Sequence, residues 1–186
     1  MEKNIRKAAA KTAVDAFVAV ERIYLHANQV LIALREELKT GLDLKAGSYM
    51  QHQAQASSDP KSWIYHYIAL YLSKHIITLD KYLDNPTPLF FIQVSLFNFD
   101  NSEPVLRWGV LEKIIKVQRS KGMNLDSLFR EIMAESHNEG VKNEIKTLHC
   151  RANVKSEYQL LLDVRNDSDI HEVSKKAIDN YGNFFL

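Results

Sequence analysis

The chain holds little of what marks the commoner site chemistries. One cysteine in 186 residues, Cys150, excludes an intramolecular disulfide and any zinc site built on paired thiolates. The 6 glycines and 4 prolines are too few for a fibrous or low-complexity chain. The glycines do not gather into a phosphate-cradling loop or a dinucleotide fingerprint. Neither sign of charge dominates. Lys+Arg 24 against Asp+Glu 23 leaves a formal net charge of +1, so no whole-molecule field recruits nucleic acid or an acidic membrane. No uninterrupted apolar run reaches the about 20 residues that cross a bilayer. The most apolar later stretch, Trp63 to Leu83, is broken by His66, Lys74, His75, Asp80 and Lys81. Lys11 and Asp15 interrupt the amino-terminal alanines, so no signal peptide and no membrane partner are expected. With a single cysteine, a reducing cytoplasm is the expected compartment.

What is present is a change of period. Before Pro86 apolar residues recur as in helices; after it they alternate as in strands. Ala10, Phe17, Tyr24, Leu31 and Leu38 repeat every seven residues, with Ala13, Val20, Ala27 and Leu34 three positions after the first four. This a/d seam predicts one helix from about Ile5 to Lys39, with Gly41 as its C-cap. Beside the seam stand Ala9, Ala16, Ile23 and Val30 rather than charges, so the apolar stripe is wide and calls for more than one neighbour. Self-association through Phe17, Val20, Tyr24, Ala27, Leu31 and Leu34 is the expected use of that stripe. Lys45 to Ser58 is polar and aperiodic and reads as a loop. Asp59 and Pro60 then open a second helix predicted to run to about Asp84, apolar almost all round.

The strand-like half predicts two hairpins. Phe90, Ile92, Val94 and Leu96 share a face, as do Leu106, Trp108 and Val110 on a returning strand, with turn formers at Asp100, Asn101 and Ser102. A helix is predicted over about Leu125 to Ser136. The second hairpin is read as Glu144–Val154 and Tyr158–Arg165 joined by Lys155-Ser156-Glu157, followed by a helix capped by Ser168 or Asp169. The apolar tail Phe184-Phe185-Leu186 has to dock. The expected fold is a single α+β domain over residues 1–186: two long N-terminal helices (1–85) packed on an antiparallel sheet of two β-hairpins with two further helices (86–186).

In that register His149 faces Asp163, and Arg151 and Arg165 lie nearby with donors suited to a phosphate or carboxylate. Gln93, Ser95 and Arg107 add to the same polar face from the first hairpin, so these seven residues form the candidate small-anion site. The run from Arg107 through Lys113, Lys116 and Arg119 to Lys121, with Trp108 inside it, is the candidate nucleic-acid surface. Other patterns are at chance level. Arg130…His137 and Arg165…His171 resemble the ribonuclease motif of helical HEPN domains, but strand signals after Pro88 contradict an all-helical fold. Glu144-Ile-Lys146 matches half of a metal-dependent nuclease site and lacks a partner carboxylate in context. Cys150 points inward in the predicted strand and reads as a small core residue. No catalytic set, metal ligand or cofactor is nominated. The leading expectation is a non-catalytic binding or assembly protein, homodimeric through the first helix. The alternatives are a nucleic-acid-binding protein or nuclease, and a small-anion sensor.

Overall fold

The computed structural model describes residues 2–53, 65–75, 78–96, 103–139 and 143–186. It is an α+β fold in three layers. Six antiparallel strands, β1 (Lys45–Gln53), β2 (Tyr65–Ser73), β3 (Leu89–Ser95), β4 (Val105–Ile115), β5 (Glu144–Lys146) and β6 (Arg151–Leu160), form one sheet in the order β1-β2-β3-β4-β6-β5. Helices α1 (Glu2–Gly41) and α4 (Asp167–Tyr181) cover one face, and α2 (Leu79–Asp84) and α3 (Leu125–Glu139) cover the other.

Because both faces are covered, the central strands are apolar on both sides. In β2, Ile68, Leu70 and Leu72 enter the core under α1 and α4, while Tyr67, Ala69 and Tyr71 enter the core under α3. Phe90, Ile92 and Val94 of β3 alternate with Leu89 and Phe91 in the same way. A strand buried on both sides loses its period-2 signal and reads as a continuous apolar run. That is why residues 65–73 look like an all-round buried helix in sequence. The expected second long helix is therefore corrected: 65–73 is a strand, among the described residues only Leu79–Asp84 is helical, and 59–64 and 76–77 lie outside them. The expected loop from Lys45 is likewise strand β1 as far as Gln53.

The expected second hairpin is also replaced. β6 runs unbroken through Lys155-Ser156-Glu157, and its turn partner is β5. The chain reverses at Thr147, whose hydroxyl accepts the backbone N–H groups of His149 (3.2 Å) and Cys150 (3.0 Å). A threonine-built turn of this kind carries no glycine or proline to announce it.

Local capping sets the helix ends. Leu42 N–H bonds Leu38 O and Leu44 N–H bonds Lys39 O, with Asp43 at φ 50, so α1 closes with a left-handed residue at Asp43 instead of the expected Gly41. Gly41 serves packing: a Cβ there would lie 2.5 Å from Ile178 Cδ1 of α4. Asn166 caps α4, its side chain accepting Asp169 N–H while Asp169 accepts Asn166 N–H, two residues before the expected Ser168 and three before Asp169. Phe185 of the tail docks in the core beside Phe90, and Leu186 stays in solvent.

Candidate functional site

The most unusual surface is the amino-terminal half of α1. The helix has 40 residues, about 60 Å of length, but its cores take in only the carboxy-terminal half. Ala27, Val30, Leu31, Leu34 and Leu38 are buried against the sheet, and Ile23 and Tyr24 pack on the same core. His26 Nε2 lies 3.4 Å from Leu161 O, which marks where the body of the domain begins. Before that point the helix projects. Residues 10–19 are all exposed, Val20 is half-buried, and Glu21 and Arg22 are exposed. Phe17 is 76% exposed and Val14 60% exposed. Large apolar side chains left this bare on one element form an exposed apolar patch.

The heptad seam is thus divided. Of the six residues expected to mediate self-association, Ala27, Leu31 and Leu34 are consumed by the protein's own core and Tyr24 is partly so, because the sheet occupies the space a partner helix would need. Phe17 and Val20 remain on the projecting part. A smaller apolar patch lies at the same end of the domain: Tyr158 and Leu160 at the end of β6 and Leu162 in the 3-10 turn Leu161–Asp163 are exposed.

The projecting helix invites a membrane reading, since Ala10–Gly41 is long and apolar enough by length and composition to cross a bilayer. Within that stretch Ala27, Val30, Leu31, Leu34 and Leu38 are buried against the sheet, and Ala10 to His26 carries Lys11, Asp15, Glu21 and Arg22.

The seven candidate anion-site residues are not brought together. His149 sits in the turn before β6 and Asp163 in the 3-10 turn after it, so the whole strand separates them. At 3.4 Å per residue, ten residues of strand set them about 34 Å apart. The carboxylate that His149 meets is Glu131 of α3, with Nδ1 2.8 Å from Oε1. Glu131 Oε2 also accepts the Thr147 hydroxyl at 3.0 Å. Asp163 and Arg165 approach each other only loosely, at 3.8 Å, on open surface. Arg151 lies 3.6 Å from Glu144 on the β5–β6 edge. The α3 contact was illegible in sequence, because nothing local links position 131 to position 149.

Gln93, Ser95 and Arg107 are neighbours, but they are buried beneath α3 rather than open to a ligand. Arg107 is 5% exposed. Its Nε donates to Ser156 Oγ at 2.9 Å, and Nη1 donates to both the hydroxyl and the carbonyl of Ser136. The guanidinium also lies 5.8 Å from the Phe91 ring centroid. Burial lowers its pKa to about 10, which still leaves it charged at neutral pH. Gln93 Nε2 donates to Met133 O at 2.9 Å, while Gln93 Oε1 is buried with no hydrogen-bond partner.

The basic run is similarly split. Arg107 and Trp108 face opposite cores, and Arg119 pairs with Asp80 at 2.8 Å. Lys113, Lys116 and Lys121 are exposed. Among the described residues no group of three or more His, Cys, Asp or Glu side chains is arranged to hold a metal ion.

Cys150 is buried, 3.4 Å from the Thr147 hydroxyl. Burial raises its thiol pKa; the threonine contact opposes this and the Glu131 charge adds to it. Since the thiolate is the reactive form, native protein at pH 7–8 is expected to react with a thiol reagent at least tenfold more slowly than unfolded protein. Comparable rates in a stopped-time thiol assay with and without denaturant would show that the site is open.

No protein-family model matches the chain, no curated protein is similar to it, and no solved structure matches it.

Proposed function

We propose that the protein is a non-catalytic assembly module that self-associates through the amino-terminal half of α1. The observation that carries this reading is the exposed apolar side of the projecting helix, centred on Phe17 and Val14. The rest of the fold spends its polar residues on internal order. Arg107 ties β4 to α3 and β6, and Glu131 ties α3 to the Thr147–Cys150 turn. Burying apolar surface at about 25 cal/mol per Å² makes a partner for the bare helix favourable. A second copy is a partner that is always present at equal concentration and carries the same seam.

The test is light scattering at high micromolar concentration. A dimer mass is expected. Phe17→Glu is expected to shift the equilibrium to monomer, weakening association at least thirtyfold, without changing the circular dichroism spectrum, because Phe17 belongs to neither core. A monomer for the unsubstituted chain would overturn the reading. So would association with neutral or anionic vesicles in place of self-association.

A further inference from the structure

One corner of the sheet is bare, and strand parity says which side chains stand on it. Ile114 of β4, Ile145 of β5 and Ala152 and Val154 of β6 enter the core under α3. Successive side chains of a strand point to opposite faces, so Arg151, Asn153 and Lys155 project from the face that carries α1 and α4. Their cross-strand partners share that face: Lys113 and Glu144 beside Asn153, Lys146 beside Arg151. Lys155, with Nζ 5.0 Å from the Phe184 ring centroid, marks the limit of the cover. Beyond it Lys113, Glu144, Lys146 and Asn153 are exposed. The corner lies at the end of β6 opposite the 3-10 turn beside His26.

We propose that this corner binds the phosphate backbone of a nucleic-acid duplex without reading its sequence. Lys113, Lys146, Arg151 and Lys155 stand on it. Lys116 follows at its end, in a left-handed turn (φ 53) that Gln118 N–H fastens to His149 O at 2.7 Å. Against these five cations stand only Glu112 and Glu144. Glu112 pairs with Lys155 at 2.6 Å, but Glu144 reaches Arg151 at 3.6 Å and Lys146 at 3.8 Å, loosely and in solvent. Among the described residues Lys113 and Lys116 enter no ion pair. With strands about 4.8 Å apart and about 3.4 Å per residue, the four cations of the sheet fall within about 15 Å of one another.

The make-up of the surface selects the partner. Phosphate contacts draw their affinity from released counterions and need no pocket. Single strands are held by aromatic side chains that stack the bases, and the corner carries none. A bilayer contact scales with buried apolar area, and Leu148 at the tip of the β5–β6 turn is the one large apolar side chain exposed there. An extended acidic peptide turns one carboxylate toward a surface every two residues, about 6.8 Å, whereas each strand of a duplex carries one phosphate per about 3.4 Å. The formal net charge of +1 adds no long-range field, so the contact is short-ranged and sensitive to salt.

The test is fluorescence anisotropy of a labelled DNA duplex of about 20 base pairs, titrated with the full chain between about 20 and 150 mM salt. Micromolar binding is expected at the low-salt end, with a log–log slope of about −4, near −0.9 for each phosphate neutralised. Lys113→Glu and Lys146→Glu are each expected to weaken binding at least about fivefold and to flatten the slope by about 1. Both side chains lie outside the two cores, so the circular dichroism spectrum is expected to stay unchanged. Lys176→Glu makes the same charge change on α4, where Lys176 pairs with Glu172, and is expected to stay within about twofold. No anisotropy change at the lowest salt would overturn the proposal. So would an equal loss with Lys176→Glu, which would reduce the contact to net charge. Tighter binding of the single strand, displacement of the duplex by polyglutamate at equal charge concentration, or binding of phosphatidylserine vesicles in its place would each give the corner another partner and overturn it too. Self-association is read separately by light scattering and stands or falls without these results.

Discussion

Gly109→Ala is expected to remove the folded protein almost entirely. Gly109 lies in β4, the strand flanked by β3 and β6, with Phe91 and Ser156 as its cross-strand partners. A Cβ at this position would lie 2.0 Å from Lys155 O, 2.6 Å from Ser156 Cα and 2.8 Å from Ser156 Cβ. Two of these atoms are backbone, so no rotamer change relieves the contact. The ladder between β4 and β6 is continuous from Val105 to Leu111, so neither strand can retreat at one residue without opening the pairs on both sides. The same ladder positions Ser156 for its hydrogen bond to Arg107. Losses above about 4 kcal/mol are rare for one substitution and arise from this kind of enforced overlap. Against a typical total of about 5–15 kcal/mol, such a loss leaves mostly unfolded or insoluble chain. Urea denaturation of whatever remains soluble is the measurement. A stability within about 1 kcal/mol of the unsubstituted protein would show that the strands do not approach this closely.

Arg107→Ala is the second large effect, expected at about 2–5 kcal/mol of destabilisation with the denaturant slope unchanged. The guanidinium is a buried charge whose donors are used in part by Ser156 and Ser136. Truncation strips those acceptors of their donor and empties the volume between β4 and the carboxy-terminal turn of α3. Arg107→Met separates the two costs. It keeps much of the volume and the apolar contact with Phe91, so it should recover about half of the loss if packing dominates. A change below about 1 kcal/mol for the alanine variant would mean that the end of α3 is held by apolar contacts alone.

Several elements were legible without coordinates because their cause is local. The 3.6-residue periodicity of α1 persists over four heptads, and the helix follows it. The alternation at Phe90, Ile92 and Val94 points to one core, as Leu106, Trp108 and Val110 do from the neighbouring strand. α3 begins at Leu125, one residue after Asn124, whose side chain accepts Ser127 N–H at 2.8 Å. Other elements were illegible because their cause is distant. Residues 65–73 are a strand only because α1 and α3 cover both of its faces. His149 turned toward Glu131 rather than Asp163 because the reversal falls at Thr147, a residue whose turn-forming role depends on which backbone groups come within reach of its hydroxyl.

The sequence by itself determined that the chain is α+β, that its first helix is long and apolar along a wide stripe, and that no disulfide or cysteine-based metal site is available to it. Only the tertiary structure decided what that stripe faces. Periodicity reports that a face is apolar and is silent on what lies against it. Placing the sheet against Ala27 to Leu38 closed one half of the seam and left Phe17 in water. Packing of α3 on the other face of the sheet buried Arg107, Gln93 and Ser95, where they are closed off from any ligand.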